Sequence, residues 1–190
     1  MAVAGLLLCG GAARRFGSAK LLAGSQPIVV DAARRLIEGA GSALAIIPLD
    51  LDDRKLRTAL EGAGCTVLAT DRAVRGMGAS LAAGVAATTM ASGWIVALGD
   101  MPRVDPRTIA AVREAIESGA TIAAPFDGDG RRGHPVGFSA ALSDELLALD
   151  GDVGARAILE RHADQMQRIV TVDAGIFIDI DTPQDLERLR

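Results

Sequence analysis

Apolar and polar positions alternate in blocks along this chain. Val3–Cys9 (VAGLLLC) is a short apolar run followed by two glycines, the pattern of a buried strand. From Pro27 the period changes. Val30, Ala33 and Ile37 recur at helical spacing, and Pro27 suits a first helical turn. Ala43–Leu49 reads as the next strand, Asp52–Gly64 as a helix opened by Asp and closed by Gly, and Cys65–Thr70 as a third strand. A helix through Ser80–Met90, a strand Trp94–Asp100, a helix Asp105–Gly119 with both caps signalled, and a strand Ala120–Pro125 follow. Apolar strands alternating with helices predict an α/β fold, a mostly parallel sheet covered on both faces. The pattern breaks at Phe126–Gly133 (FDGDGRRG), read as a flexible loop. The last third is less regular. His134–Ser139, Arg168–Val172 and Ile176–Ile180 read as short strands. Glu145–Leu149, Gly154–Ala163 and Thr182–Arg190 read as helices. With no repeat, low-complexity tract or linker, residues 1–190 read as a single domain.

Composition narrows this further. Four Phe, one Trp and no Tyr leave the core to Leu, Ile, Val and Ala. A net charge of −4 gives no clustered basic excess, so no nucleic-acid face is expected. No charge falls between Arg75 and Asp100, but the stretch is rich in Ala, Gly, Ser and Thr and is broken by Ser92–Trp94. It reads as helix, turn and strand rather than a membrane span. Arg14 and Arg15 follow the first apolar run instead of preceding it, unlike a secretory signal. Cys9 and Cys65 read as buried core thiols in a cytoplasmic protein. His162, in the charged run ERHAD, reads as solvent-exposed.

Parallel α/β sheets bind ligands beyond the carboxyl ends of their strands. The loops to inspect therefore follow Cys9, Thr70, Leu98 and Pro125. The first, in LLLCGGAARRFGSAK, carries one of only two lysines, Lys20 and Lys55. It is neither a Walker A loop nor a G-x-G-x-x-G fingerprint. Two readings remain. One is a solvated turn. The other is an anion cradle in which Gly10 and Gly11 let backbone N–H groups approach while Arg15 and Lys20 neutralise charge. Asp100 emerges from a buried strand where a carboxylate could hold Mg²⁺ together with phosphate oxygens. Its other reading is a turn or cap, but Asp105 is the better cap. Asp179 and Asp181 alternate along an expected strand end and so share a face. Asp181 is taken as the second metal ligand, with Asp179 as the alternative. Against this, Asp181 or Thr182 could cap the last helix, with Pro183 in its first turn.

The first loop, LCGGAARRFGSAK, resembles the opening signature L-A-(A/G)-G-x-x-x-R-M-G-x-x-K of the nucleotidyltransferases of molybdenum cofactor biosynthesis. Leu8, Gly11, Arg15, Gly17 and Lys20 match; Cys9 replaces Ala and Phe16 replaces Met. The segments GMGASLAAGV, LGDMP, GHPVGF, GDVGAR and DIDTPQDL resemble that family in order, over essentially the whole chain. The resemblance implies a three-layer α/β/α Rossmann-like nucleotidyltransferase fold. It implies coupling of a nucleoside triphosphate to the terminal phosphate of molybdopterin, with release of pyrophosphate. Leu8, Cys9, Gly10, Gly11, Arg15 and Lys20 would then surround the triphosphate. Thr70, Gly76 and Ser80 would lie toward base and sugar, and Asp100 with Asp181 would hold Mg²⁺. Arg15, Lys20 and Asp100 would be the catalytic set, with Arg132, His134 and Arg156 facing the acceptor. A molybdoenzyme or its chaperone would be the protein partner; nucleic acid and membrane would not be partners.

The chemistry asks for little else. A phosphate monoester has its second pKa at about 6. It needs no strong base, and catalysis reduces to positioning and charge neutralisation. That suits a chain with two histidines and no evident nucleophile. The base is read from a mixed signature. Gly10 is guanylyl-like, and Thr70 stands where many cytidylyl relatives have Asn. The other segments are cytidylyl-like, so CTP is the expected donor, with GTP or another phosphorylated acceptor as the alternative. A non-catalytic carrier or a nucleotide-sensing module is a different class of reading. The presence of both Lys20 and Asp100 favours catalysis over it.

Overall fold

The computed structural model describes residues 2–10, 18–24, 27–51, 54–181 and 185. Seven strands form one sheet: β1 Val3–Leu8, β2 Leu44–Pro48, β3 Thr66–Thr70, β4 Gly93–Leu98, β5 Ile122–Phe126, β6 Val136–Ser139 and β7 Met166–Val170. Their order across the sheet is β3-β2-β1-β4-β6-β5-β7. Every pairing is parallel except those of β6, which runs antiparallel to both β4 and β5. The helices are α1 Ser18–Leu21, α2 Ile28–Ala40, α3 Arg54–Gly62, α4 Met77–Ala87, α5 Pro106–Glu117, α6 Ser143–Leu147 and α7 Arg156–Arg161.

Two cores sandwich the sheet, which is why its central strands carry apolar residues on both faces. One packs Leu7, Val29, Leu36, Ile47, Ile95 and Val112 under α2 and α5. The other packs Leu6, Ile46, Leu81, Trp94, Phe138 and Leu146 under α4 and α6. Aliphatic side chains do most of the filling, as the composition requires, with Trp94, Phe126 and Phe138 as the buried aromatics among the described residues. The uncharged stretch divides into α4 and β4, and no helix among the described residues is long and apolar enough to cross a membrane. The helix after Asp105 has the expected caps: the Asp105 carboxylate accepts from the Arg107 backbone N–H at 2.8 Å, Pro106 follows it, and Gly119 past the end takes φ 103°.

The structure departs from the sequence reading at several points. Ile176–Ile180 is not a strand. Ala174–Phe177 is a 3₁₀ turn, and the residues after it run extended over the strand ends without joining the sheet. β7 begins and ends two residues earlier than the apolar run at Arg168 suggests. Phe126–Gly133 forms a tight turn: Asp127 Oδ1 accepts from the backbone N–H groups of Asp129 and Arg131, and Phe126 bridges to Arg132. His162 is not exposed. Its side chain is 17% accessible, and its Nε2 lies 2.9 Å from Glu145 Oε1. The helix expected over Thr182–Arg190 lies outside the described residues, apart from Asp185.

Candidate active site

β1 and β4 lie side by side, paired from Val3↔Gly93 to Leu8↔Leu98, so their carboxyl ends open at the same level. The Gly99 N–H continues this pairing onto the Leu8 carbonyl at 2.9 Å. Asp100 is therefore delivered by the centre of the sheet. Lys20 comes from α1, just beyond the end of β1, and is 8% exposed. Its Nζ donates to Asp100 Oδ2 at 3.2 Å and to Asp181 Oδ1 at 2.7 Å. Asp181 is brought there by the segment crossing the strand ends, where the Ile180 N–H donates to the Asp100 carbonyl at 2.9 Å. Residues distant in sequence thus meet at one ammonium.

Burial works against the charge on Lys20, but the hydrogen bonds and negative charge of Asp181 and Asp100 outweigh it and hold its pKa above the usual value. Asp179 lies beside this pair. Partial burial, then a hydrogen bond with Asp181, then the charges of Asp181 and Asp100 push its pKa up. Asp181 and not Asp179 bonds the ammonium. Among the described residues, no group of three or more His, Cys, Asp or Glu side chains is set to hold a metal ion by itself. Two converging carboxylates still suit a hard, oxygen-seeking cation that takes its remaining ligands from phosphate and water. The donor set therefore fits Mg²⁺ or Mn²⁺ bound with a triphosphate.

Gly11 and Arg15, expected in the triphosphate cradle, lie outside the described residues. Leu8 and Cys9 are buried at 4% and 1%. The Cys9 side chain is core, and burial raises its thiol pKa far above the usual range. Gly10 sits against the end of β2: a Cβ there would lie 3.1 Å from Pro48 Cγ and 3.6 Å from Ser80 Oγ. Pro48 thus sets the room beside Gly10. Ser80 is 1% exposed, and its hydroxyl donates to the Gly76 carbonyl at 2.8 Å. Gly76, at φ 135°, is packed so that a Cβ would run into the Asp152 carboxylate. Thr70 ends β3, and its Oγ1 accepts from the Arg72 N–H at 3.3 Å.

The GDVGAR segment does not cap α7, whose N-terminus has no side-chain cap. It serves α4 instead: the Gly151 carbonyl accepts from Gly78 N at 2.9 Å and Ala79 N at 3.4 Å. A Cβ on Gly78 would lie 2.5 Å from the Val153 carbonyl oxygen, so this glycine of the GMGASLAAGV segment permits the backbone approach. No residue spacing in the sequence signals that contact.

Arg132, His134 and Arg156, the three expected acceptor residues, line one pocket of about 230 Å³. Its apolar wall includes Leu8, Leu98, Val136, Phe138 and Leu159. Burial, and then the Arg132 charge, lower the His134 pKa, which suits a neutral contact. Arg156 is largely exposed and pairs with Glu160 at 2.8 Å.

A mostly parallel sheet with glycines following its first strand, a buried lysine and convergent carboxylates at its carboxyl end is the architecture of a nucleotidyltransferase-type α/β protein. The profile of the MobA-like NTP transferase domain matches residues 5–166, and the chain belongs to that family. The Rv0371c protein of Mycobacterium tuberculosis H37Rv has a similar fold, with TM-score 0.79 and 24% identity over 100% of this chain and 98% of that one; it has also been crystallised in complex with manganese. A nucleotidyl transferase of Methanothermobacter has TM-score 0.79 and 19% identity, covering 100% of this chain and 96% of that one. The chain is also 28% identical, over 98% of its length and 96% of the relative's, to nicotine blue oxidoreductase of Paenarthrobacter nicotinovorans.

Proposed function

We propose that this enzyme transfers the cytidylyl group of CTP to the terminal phosphate of molybdopterin, releasing pyrophosphate. The carrying observation is Lys20 held between Asp100 and Asp181 at the open end of the parallel sheet. A divalent cation, Mg²⁺ in the reading favoured here, would be held by the two carboxylates and would supply Lewis-acid stabilisation of phosphate charge. Lys20 supplies a buried positive charge at the position where negative charge grows as pyrophosphate leaves. Arg15 would contribute a second cation from the same loop. The Arg132–His134–Arg156 pocket would orient the acceptor so that its phosphate, already largely dianionic, attacks without a dedicated base. CTP is favoured by the later motifs. Gly10 is the guanylyl-like exception, and a Cβ there would press on Pro48 Cγ at 3.1 Å. The buried cysteines are consistent with a cytoplasmic setting.

The test is pyrophosphate release from CTP, GTP and ATP with Mg²⁺, each with and without molybdopterin. Acceptor-dependent release from CTP supports the reading. Release from GTP alone moves the assignment to a guanylyl donor. No release from any of them overturns it. A second reading draws on the apolar wall of the acceptor pocket and on the relative named as an oxidoreductase: the pocket would seat a flat ring for reduction. Consumption of a reduced nicotinamide dinucleotide without any triphosphate separates the two.

A further inference from the structure

Asp181 needs a fixed position to face Asp100, yet no strand supplies it. The segment leading there starts at Asp173, and Asp173 is bonded to an element remote from it in sequence. Its Oδ2 accepts from the Asp105 backbone N–H at 2.8 Å and from Thr108 Oγ1 at 2.9 Å. Its Oδ1 accepts from the Gly175 N–H at 2.8 Å. Asp105 is the N-cap of α5 and Thr108 its third helical residue. In a capping box the third residue's side chain returns an acceptor to the N-cap N–H. Thr108 does not do this here. Asp173 takes that place from across the chain, where its negative charge also suits the N-terminus of α5.

The consequence is geometric. Asp105 follows Asp100 closely, and Asp173 precedes Asp181 closely. Joining Asp173 to Asp105 sets one end of the crossing segment against the loop that carries Asp100. Three further contacts continue the seam. Gly175 lies so close to the Arg103 carbonyl that a Cβ would run into it. The Ile176 carbonyl accepts from the His134 N–H at 3.0 Å, and the Ile180 N–H donates to the Asp100 carbonyl at 2.9 Å.

We propose that Asp173 is a positioning residue of the active site: by completing the cap of α5 in trans, it sets Asp181 opposite Asp100. The proposal rests on the reading of Asp100 and Asp181 as the pair that holds a triphosphate-bound cation.

The test is equilibrium binding of Mn²⁺ to the full chain in the presence of a non-hydrolysable CTP analogue, followed by the EPR signal of free Mn²⁺, with Tm measured on the same samples. Asp173→Ala should raise the Mn²⁺ Kd about tenfold or more, the usual cost of losing an outer-shell support. Asp105→Ala removes the conventional side-chain cap of the same helix but leaves the N–H that Asp173 accepts. It should lower Tm while leaving the Mn²⁺ Kd unchanged. Asp173→Asn, which keeps one accepting oxygen, should fall between wild type and Asp173→Ala. Should Asp173→Ala fail to fold, Asp173→Asn and Thr108→Val carry the same comparison. If the Asp173 variants lower Tm without weakening Mn²⁺, Asp173 is only a helix cap and the proposal is overturned. If Asp100→Ala also leaves Mn²⁺ binding intact, the metal pair itself is wrong, a distinct failure that removes the premise.

Discussion

The two carboxylates that meet at Lys20 reach it by different kinds of support. Asp100 extends from β4, a central strand paired along its length with β1 and covered by both cores. Asp181 ends a segment that joins no sheet and is held by separate hydrogen bonds to Asp105, Thr108, His134 and Asp100. The contrast teaches where the molecule can be altered. Damage to the sheet side costs stability first, because many pairings fail together. Damage to the hydrogen bonds of the crossing segment costs ligand geometry first, because each of those bonds sets a position, while the segment's apolar anchors Ile176 and Ile180 stay buried.

The largest effects come from removing the meeting point itself. Asp100→Ala should abolish nucleotidyl transfer while leaving the circular dichroism spectrum unchanged, since a loop carboxylate is not core. Lys20→Ala should cost about 10³-fold or more in kcat, the scale of losing a cation that stabilises phosphoryl transfer. An active Asp100→Ala enzyme would contradict the assignment.

Next comes a matched pair of glycine variants. In both Gly5→Ala and Gly175→Ala the new Cβ meets a backbone carbonyl, that of Ser42 in one case and Arg103 in the other. Gly5→Ala, inside β1, should lower stability by about 1–3 kcal/mol, the cost of overpacking, with nucleotide KM unchanged. Gly175→Ala should show the reverse balance, a smaller Tm loss and a raised KM for the metal–nucleotide complex. Equal kinetic effects from both would erase the distinction drawn above.

A smaller effect is set by pH. Burial, and then the Arg132 charge, depress the His134 pKa in the folded protein. The unfolded chain therefore takes up a proton at about pH 6.5, where the folded chain does not. Stability should fall as pH drops below that value, and His134→Gln should flatten the slope of Tm against pH over the same range. The smallest change is Arg156→Ala, at an exposed helix position paired with Glu160. Its Tm should not move measurably, because an exposed ion pair is screened by solvent, while acceptor KM rises severalfold.

What could be read from sequence follows the same division. β1, β2, β4 and β5 announce themselves because buried strands need continuous apolar runs, and the helices between them need a periodic face; β3, at the sheet edge and only half-buried, is legible from its β-branched residues and the glycine before it. Asp100 is legible because it lies just past β4, and Lys20 because it is one of two lysines and falls in the segment after the first strand. Ile176–Ile180 misleads for a physical reason. Ile176, Ile178 and Ile180 alternate in sequence as a strand's residues do, but the segment laid over the strand ends buries Ile176 and Ile180, half-buries Phe177 and Ile178 and exposes Asp179. Its hydrogen bonds go to loops, which apolar spacing does not report. Asp173 was missed because its partners, Asp105 and Thr108, lie far away in sequence. The contact of the GDVGAR segment with α4 depends on backbone approach at Gly76 and Gly78, visible only once the chain is folded.

The decisive measurement is mass analysis of the acceptor after incubation with the enzyme, CTP, Mg²⁺ and molybdopterin. The account predicts an acceptor heavier by one cytidylyl group, matched by one pyrophosphate released, and no such product with Asp100→Ala. An unmodified acceptor with every nucleoside triphosphate tried, alongside consumption of a reduced nicotinamide dinucleotide, would contradict it.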